Sequence, residues 1–261
     1  MHPRPARQQP PMPRPGASLL RSGILNATTG MLLLAVGGDA INTHLALSGW
    51  ATVRSLCLFA VALTWLHGHL VLHRPHQRIH AANQVTLVRL GLTTLIAGWV
   101  GEPMDANPWL PPLVAGLILA LDGLDGWLAR RGGWASAFGA RFDMETDALL
   151  VLTLAALLWS QDKAGGWILI AGLARYLFVL AARRWSWLDQ PLPPSRRRQT
   201  LCVLIVLTLL LSLIPPIQPP LSLSLAALAV TFTLYTFGVD LRWLWRQQPE
   251  TTAGQRMGVD P

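Results

Sequence analysis

Long apolar runs alternate with short polar segments along almost the whole chain. Most of the runs approach the ~20 residues that an α-helix needs to cross about 30 Å of hydrocarbon. The pattern predicts an all-α, polytopic membrane bundle of eight spans. The predicted spans are Gly23–Leu47, Trp50–Leu72, Val85–Val100, Trp109–Leu128, Phe142–Trp159, Trp167–Ala182, Leu201–Ile214 and Leu221–Trp243.

Composition and charge agree with a membrane protein. Hydrophobic residues make up 52% of the chain and charged residues only 13%, about half the charged fraction of a soluble domain. The net charge is +8, but the arginines lie in short segments between apolar runs, which argues against nucleic-acid binding. In an eight-span topology those segments share one side, so the positive-inside rule places them in the cytoplasm. We therefore expect an integral protein of a bacterial inner membrane, in contact with membrane lipid.

The last six spans resemble one compact bundle, and the first two resemble an extension of it. We predict a basic, Pro-rich tail over residues 1–22, a two-span amino-terminal extension over 23–75, a six-span core over 80–247 and a polar tail over 248–261. The linker between extension and core is rich in histidine, and we interpret these histidines as facing lipid headgroups rather than binding a metal.

Four aspartates surround the loop between the fourth and fifth spans. Asp122 and Asp125 are three residues apart, and Asp143 and Asp147 are four apart, so each pair shares one face of its helix. A helical hairpin would gather all four at one membrane depth. Four unpaired carboxylates would cost on the order of 10 kcal/mol there, and divalent cations would remove that cost. Oxygen-only ligands favour Mg²⁺ or Mn²⁺; the alternative is a solvated acidic turn.

This segment resembles the signature of the CDP-alcohol phosphotransferase family, DxxDGxxAR followed after eight residues by GxxxDxxxD. Every fixed position of the signature is matched. The matching residues are Asp122, Asp125, Gly126, Ala129, Arg130, Gly139, Asp143 and Asp147. The stretch from Asn83 through Thr86 to Arg89 is similar to the NxxTxxR that opens the family's core, and the resemblance covers about residues 80 to 247.

The resemblance implies a transferase of phospholipid biosynthesis with its active site facing the cytoplasm. It would move a phosphatidyl-type group from a CDP-activated lipid, CDP-diacylglycerol foremost, to an alcohol, with release of CMP. Asp122, Asp125 and Asp143 would bind two divalent ions, and Asp147 would act as a ligand and as the general base. The implied nucleotide-binding residues are Gly126, Ala129, Arg130, Gly139, Asn83 and Thr86. A helix N-cap at Asn83 is the alternative for that residue, and a homodimer is a further expectation.

The acceptor alcohol is left open by the sequence. Arg175 and Arg196 lie near predicted cytoplasmic ends of spans, where they would bind a phosphorylated acceptor such as glycerol 3-phosphate or an inositol phosphate. The alternative is that they contact anionic lipid. Phosphatidylglycerophosphate synthases often have Arg-Glu where this chain has Arg175-Tyr176, so serine and other acceptors stay open.

Two other functions share part of this pattern. Intramembrane prenyltransferases also use aspartate-rich motifs with Mg²⁺, but their motifs are usually far apart in sequence. A cation transporter would place acidic residues near the middle of the membrane on several helices. The single hairpin at one membrane face favours the transferase over both.

Overall fold

The computed structural model describes residues 16–70, 79–132, 136–190, 192–193 and 195–247, except for the side chain of Arg130. Most of the predicted amino-terminal tail, most of the histidine-rich linker and the predicted carboxyl-terminal tail lie outside these residues. Within them the secondary structure is helical, without a strand. This confirms the all-α prediction.

Each predicted span falls on a helical segment. The first lies on α1 (Ala17–Leu33), which continues through a π-helical turn (Leu34–Gly38) into α2 (Asp39–His44). The others lie on α3 (Gly49–Gly68), α4 (Ala81–Gly98), α5 (Leu110–Gly132), α6 (Ala137–Ser160), α7 (Leu169–Arg184), α8 (Arg196–Leu213) and α9 (Leu221–Arg246). Short 3₁₀ helices precede α7 (Gly166–Ile168) and follow it (Ser186–Asp189).

Five helices in the described part of the chain are long and apolar enough to cross a membrane. They are Ala17–His44, Gly49–Gly68, Leu110–Ala129, Gly166–Arg184 and Leu221–Arg246. The helices outside this set are α4, α6 and α8, and each carries several polar or charged residues near its amino-terminal end. Polar residues within such helices usually face protein or water rather than lipid.

The helices form two compact units. The first comprises the described residues of Met1–Gly98 and Leu117–Thr146, and the second those of Trp99–Gly116 and Asp147–Pro261. Helices α5 and α6 therefore contribute residues to both units. This division does not test the predicted boundary between an amino-terminal extension and a core, which stays a prediction.

In the first unit, α3 packs closely along α4. Ser55 on α3 is 1% exposed, and its hydroxyl donates to the Ala51 carbonyl oxygen at 2.9 Å. Gly98 on α4 lies so near that a Cβ atom there would be 2.1 Å from Ser55 Oγ and 2.4 Å from the Ala51 carbonyl oxygen. The close approach of the two helices thus requires glycine at position 98.

Helix α1 also reaches the start of α4. Gln84 Nε2 donates to Asn26 Oδ1 at 3.2 Å, and the Ile79 backbone amide donates to Ser22 Oγ at 3.1 Å. Helix α1 therefore contacts the start of α4, and α3 contacts its end.

In the second unit, α9 packs against α7 and α8, and a buried lysine closes the end of α8. Lys163 Nζ donates to the carbonyl oxygens of Ser212 (3.3 Å), Leu213 (3.1 Å) and Ile214 (2.7 Å). These carbonyls have no partner within the helix, and a cation there also meets the negative end of the helix dipole. Burial lowers the pKa of the Lys163 ammonium from its ordinary value.

We predict that Gly98→Ala destabilises the protein although alanine is the better helix former. The added Cβ would meet the Ala51 backbone at 2.4 Å, and overpacking of this kind costs about 1–3 kcal/mol. The measurement is the melting temperature in detergent. Gly91→Ala is the matched control on α4, because its Cβ would meet only Phe59 Cε2, at 3.9 Å. Equal melting temperatures for the two variants would contradict the α3–α4 packing.

Candidate active site

A buried arginine lies among three aspartates in the first unit. Arg89 is 1% exposed. Its Nη1 atom lies 2.8 Å from Asp125 Oδ2 and 2.5 Å from Asp143 Oδ1, and its Nη2 atom lies 2.7 Å from Asp122 Oδ1. The fork of one guanidinium thus connects α4, α5 and α6, and each contact is a charge-assisted hydrogen bond.

The three carboxylates differ in their exposure. The Asp125 side chain is 7% exposed, that of Asp122 30% and that of Asp143 41%. Asp125 also has Thr86 Oγ1 at 3.0 Å from its Oδ2 atom. Asp125 is therefore the buried anchor of the cluster, while Asp122 and Asp143 present their carboxylates at an accessible surface.

Local sequence on α6 positions its aspartates. Ser136 Oγ accepts the backbone N–H of Gly139 at 3.0 Å, which is the usual N-cap contact three residues into a helix. A Cβ atom on Gly139 would lie 2.8 Å from Asn83 Oδ1, so glycine at this position lets the start of α6 approach α4. Asp143 follows one turn later.

Asp147 follows Asp143 by one more turn of α6, on the same face of that helix. In the second unit, the Cys202 thiol on α8 lies 3.9 Å from Asp147 Oδ2, the separation of a weak S–H hydrogen bond. The α6 pair therefore keeps the spacing that the sequence predicted.

The donor set in the first unit fits a divalent cation. Asp122 and Asp143 each offer a carboxylate oxygen, and the two atoms lie within 4.8 Å of each other. One guanidinium is shared by three carboxylates at this cluster. Carboxylate oxygens are the ligands that Mg²⁺ and Mn²⁺ prefer. The chemistry of these residues agrees with the predicted metal site.

The other predicted nucleotide-binding residues lie close to this cluster in sequence or in space. Thr86 touches Asp125, and Asn83 is the third residue of α4, so it is not an N-cap. Gly126 and Ala129 are half-buried on α5. Arg130 belongs to the same helix, and its side chain lies outside the described residues. Their contacts with a nucleotide stay predictions.

The predicted acceptor-binding residues lie in the second unit. Arg175 is half-buried on α7, and Arg196 is the exposed first residue of α8. The neighbouring arginines are committed to an ion pair, since Arg197 Nη2 lies 2.6 Å from Asp240 Oδ1 and Arg198 Nη1 lies 3.6 Å from Asp240 Oδ2. A structural role therefore explains Arg197 and Arg198.

Sequence reasoning did not assign a role to Arg89, although the motif contains it. A signal was present, because an arginine inside a predicted span is costly unless it meets acidic partners. The Arg197–Asp240 pair was missed for a similar reason. Its two residues are 43 positions apart, and sequence spacing does not show which helices are neighbours.

Comparison with known proteins agrees with the motif. A family model described as CDP-alcohol phosphatidyltransferase matches residues 79–235, which is more than half of the 261 residues. The match contains α4 to α8 and most of α9. It also contains Arg89 and its three partners Asp122, Asp125 and Asp143, which together form the carboxylate cluster. No solved structure gives a significant match.

We predict that Arg89→Met, measured with a chelator present, lowers the free energy of unfolding by about 3–5 kcal/mol, the usual effect of removing one partner of a buried ion pair. Three carboxylates would then lack their shared counter-charge. Adding Asp125→Asn to Arg89→Met should recover part of the loss, as a double-mutant cycle would show.

The control for this prediction is Arg131→Met. Arg131 is exposed and its guanidinium lies over the Trp127 ring, 5.1 Å from the centroid, a contact of at most about 1 kcal/mol at an exposed site. Similar losses for Arg89→Met and Arg131→Met would exclude a central role for Arg89.

Proposed function

The chain belongs to the CDP-alcohol phosphatidyltransferase family, and we propose that it transfers a phosphatidyl group from CDP-diacylglycerol to an alcohol acceptor with release of CMP. Membership of the family implies transfer of a phosphatidyl-type group from a CDP-alcohol in phospholipid biosynthesis. The observation that carries the proposal is the gathering of Asp122, Asp125 and Asp143 around Arg89. These residues belong to the motif that the family shares.

The proposed reaction is a displacement at phosphorus. The acceptor hydroxyl gives its proton to Asp147, and its oxygen forms a bond to the phosphorus that carries the lipid. The bond from that phosphorus to the oxygen of the CMP phosphate breaks, and CMP leaves with the electron pair. General-base help of this kind contributes about 10²–10⁴-fold to a rate. The location of Asp147, one turn beyond Asp143 on α6, supports this role.

We propose that Asp122, Asp125, Asp143 and Asp147 hold two Mg²⁺ or Mn²⁺ ions. When bound, such ions neutralise the charge of the diphosphate oxygens and of the leaving group. Arg89 holds three of the aspartates in place through one oxygen of each carboxylate. Arg89 therefore acts as a positioning residue, and it keeps the donor set assembled.

Nucleotide recognition is proposed for Asn83, Thr86, Gly126, Ala129, Arg130 and Gly139. Contacts among the described residues add a positioning role for two of them. Thr86 contacts Asp125, and Gly139 allows α6 to approach Asn83. Arg175 and Arg196 remain the proposed ligands of a phosphorylated acceptor.

The proposed setting is a bacterial inner membrane with the carboxylate cluster at its cytoplasmic face, and a homodimer is the proposed assembly. The arginine-rich segments between spans support the orientation. Family membership favours the transferase over the prenyltransferase and transporter alternatives. An acceptor panel with CDP-diacylglycerol as donor, read out as CMP release, tests the substrate assignment directly.

We predict that Asp147→Asn lowers CMP release from CDP-diacylglycerol by about 10²–10⁴-fold, because the amide cannot accept the acceptor's proton. The melting temperature should change little. Glu145→Gln is the matched control, since it removes the same charge two residues earlier on α6 and should retain activity. Full activity of Asp147→Asn would refute the base assignment.

We also predict that Mg²⁺ or Mn²⁺ raises the melting temperature of chelator-treated protein. A cation at 100 times its dissociation constant stabilises the folded state by about 2.7 kcal/mol. Asp143→Asn should reduce this shift, and Glu145→Gln should leave it unchanged. An undiminished shift in Asp143→Asn would place the cation elsewhere, whatever the activity of the protein.

A further inference from the structure

An open apolar groove runs between α7 and α9 in the second unit. Its volume is about 460 Å³, which falls within the usual range for small-molecule sites. Its walls include Leu177, Phe178 and Ala181 on α7 and Phe237 and Leu241 on α9. The residues of each helix recur every three or four positions, so each set forms one face of its helix.

Two aromatic pairs join the walls of the groove. Phe178 and Phe237 have ring centroids 5.7 Å apart. Trp187 and Trp245 lie edge to face with centroids 5.9 Å apart. The tryptophan pair lies where α7 and α9 end, and indole rings prefer the headgroup level of a bilayer. We therefore place one end of the groove at the membrane interface and the other in the hydrocarbon region. An acyl chain of a phospholipid follows the same course.

Positive charge lies at the interfacial end of the groove. The last turn of α7 carries Arg183 and Arg184, and that of α9 carries Arg246. Arg184 follows the groove residue Leu177 by seven positions, so it lies about 20° from Leu177 around the helix axis. Arg183 lies about 120° away from it by the same geometry. Asp189, on the 3₁₀ helix after α7, is a nearby acidic residue and is exposed.

We propose that this groove binds an acyl chain of an anionic phospholipid of the surrounding bilayer, and that the lipid phosphate pairs with Arg184. The apolar walls match the chain, and the guanidinium matches the phosphate, for which its planar fork is suited. None of the residues that line the groove belongs to the carboxylate cluster, and the proposal does not depend on the proposed transfer reaction. It would tie the stability of the second unit to the anionic lipid content of the membrane.

The test uses full-length protein in an uncharged detergent, titrated separately with dioleoyl phosphatidylglycerol and dioleoyl phosphatidylcholine. The readout is the melting temperature at each lipid concentration. Phosphatidylglycerol should stabilise the protein at lower concentrations than phosphatidylcholine. Arg184→Gln should weaken the apparent affinity for phosphatidylglycerol about fivefold, the value of one basic residue near an anionic surface, and should leave the phosphatidylcholine response unchanged.

The matched charge control is Arg183→Gln, which removes the same charge from the other side of α7. This variant should keep the affinity for phosphatidylglycerol within about twofold, whereas a diffuse surface attraction would weaken equally in both variants. Ala181→Leu, which narrows the groove, should weaken both lipids. If Ala181→Leu fails to fold, Leu177→Ser serves as a second groove variant, because the Leu177 side chain is exposed.

Three results would overturn the proposal. Equal responses to the two lipids would show that the phosphate charge is not recognised. Equal losses in Arg183→Gln and Arg184→Gln would show only diffuse attraction to the surface. A fall in particle mass for Ala181→Leu, measured by light scattering, would show that a second copy of the chain covers the groove instead.

Discussion

The guanidinium of Arg89, buried among three carboxylates, is the interaction on which the rest of the first unit depends. A charged group that is 1% exposed is tolerated only when its partners compensate for lost hydration. Here the partners come from α5 and α6, so the ion pairs also fix these two helices against α4. The same contacts relieve the repulsion among the aspartates. A divalent cation would therefore meet a donor set that Arg89 already organises.

The position of Arg89 depends in turn on helices outside the family match. Residues before 79 are not part of that match, yet α3 contacts α4 so closely at Gly98 that a methyl group would not fit. Asn26 on α1 contacts Gln84 near the other end of α4. These contacts hold α4 at both ends, and Arg89 lies between them. The amino-terminal helices thus contribute to the geometry of the carboxylate cluster although none of their residues belongs to the motif.

Much of the fold could be predicted because the length of an apolar run and the thickness of a bilayer are directly related. All eight predicted spans fall on helices. Helix ends were less accurate, since a helix continues beyond its apolar run while its backbone hydrogen bonds are satisfied. α1 begins at Ala17 rather than Gly23, and α5 extends to Gly132 rather than Leu128. The π-helical turn before Asp39 has no signal in the apolar pattern.

The candidate site was predictable in its residues but less so in its contacts. Spacing placed each aspartate pair on one helix face, which requires only local geometry. Arg89, the partner of three of those aspartates, is on α4, 33 residues or more away in sequence. Its pairing depends on which helices are neighbours. Lys163 illustrates the same limit, since its place between two apolar runs does not show that its ammonium caps α8. Long-range pairing of charges requires the tertiary structure.

Arg89 contacts three carboxylates through two different nitrogen atoms, and this arrangement favours arginine over lysine at position 89. Nη1 contacts Asp125 Oδ2 and Asp143 Oδ1, while Nη2 contacts Asp122 Oδ1. A single ammonium cannot reach two carboxylates on α5 and a third on α6 with that fixed geometry. Arg89 thus contacts one oxygen of each of these aspartates. Aspartates that contact Arg89 would thus also hold the proposed ions, so folding and catalysis would rely on some of the same side chains.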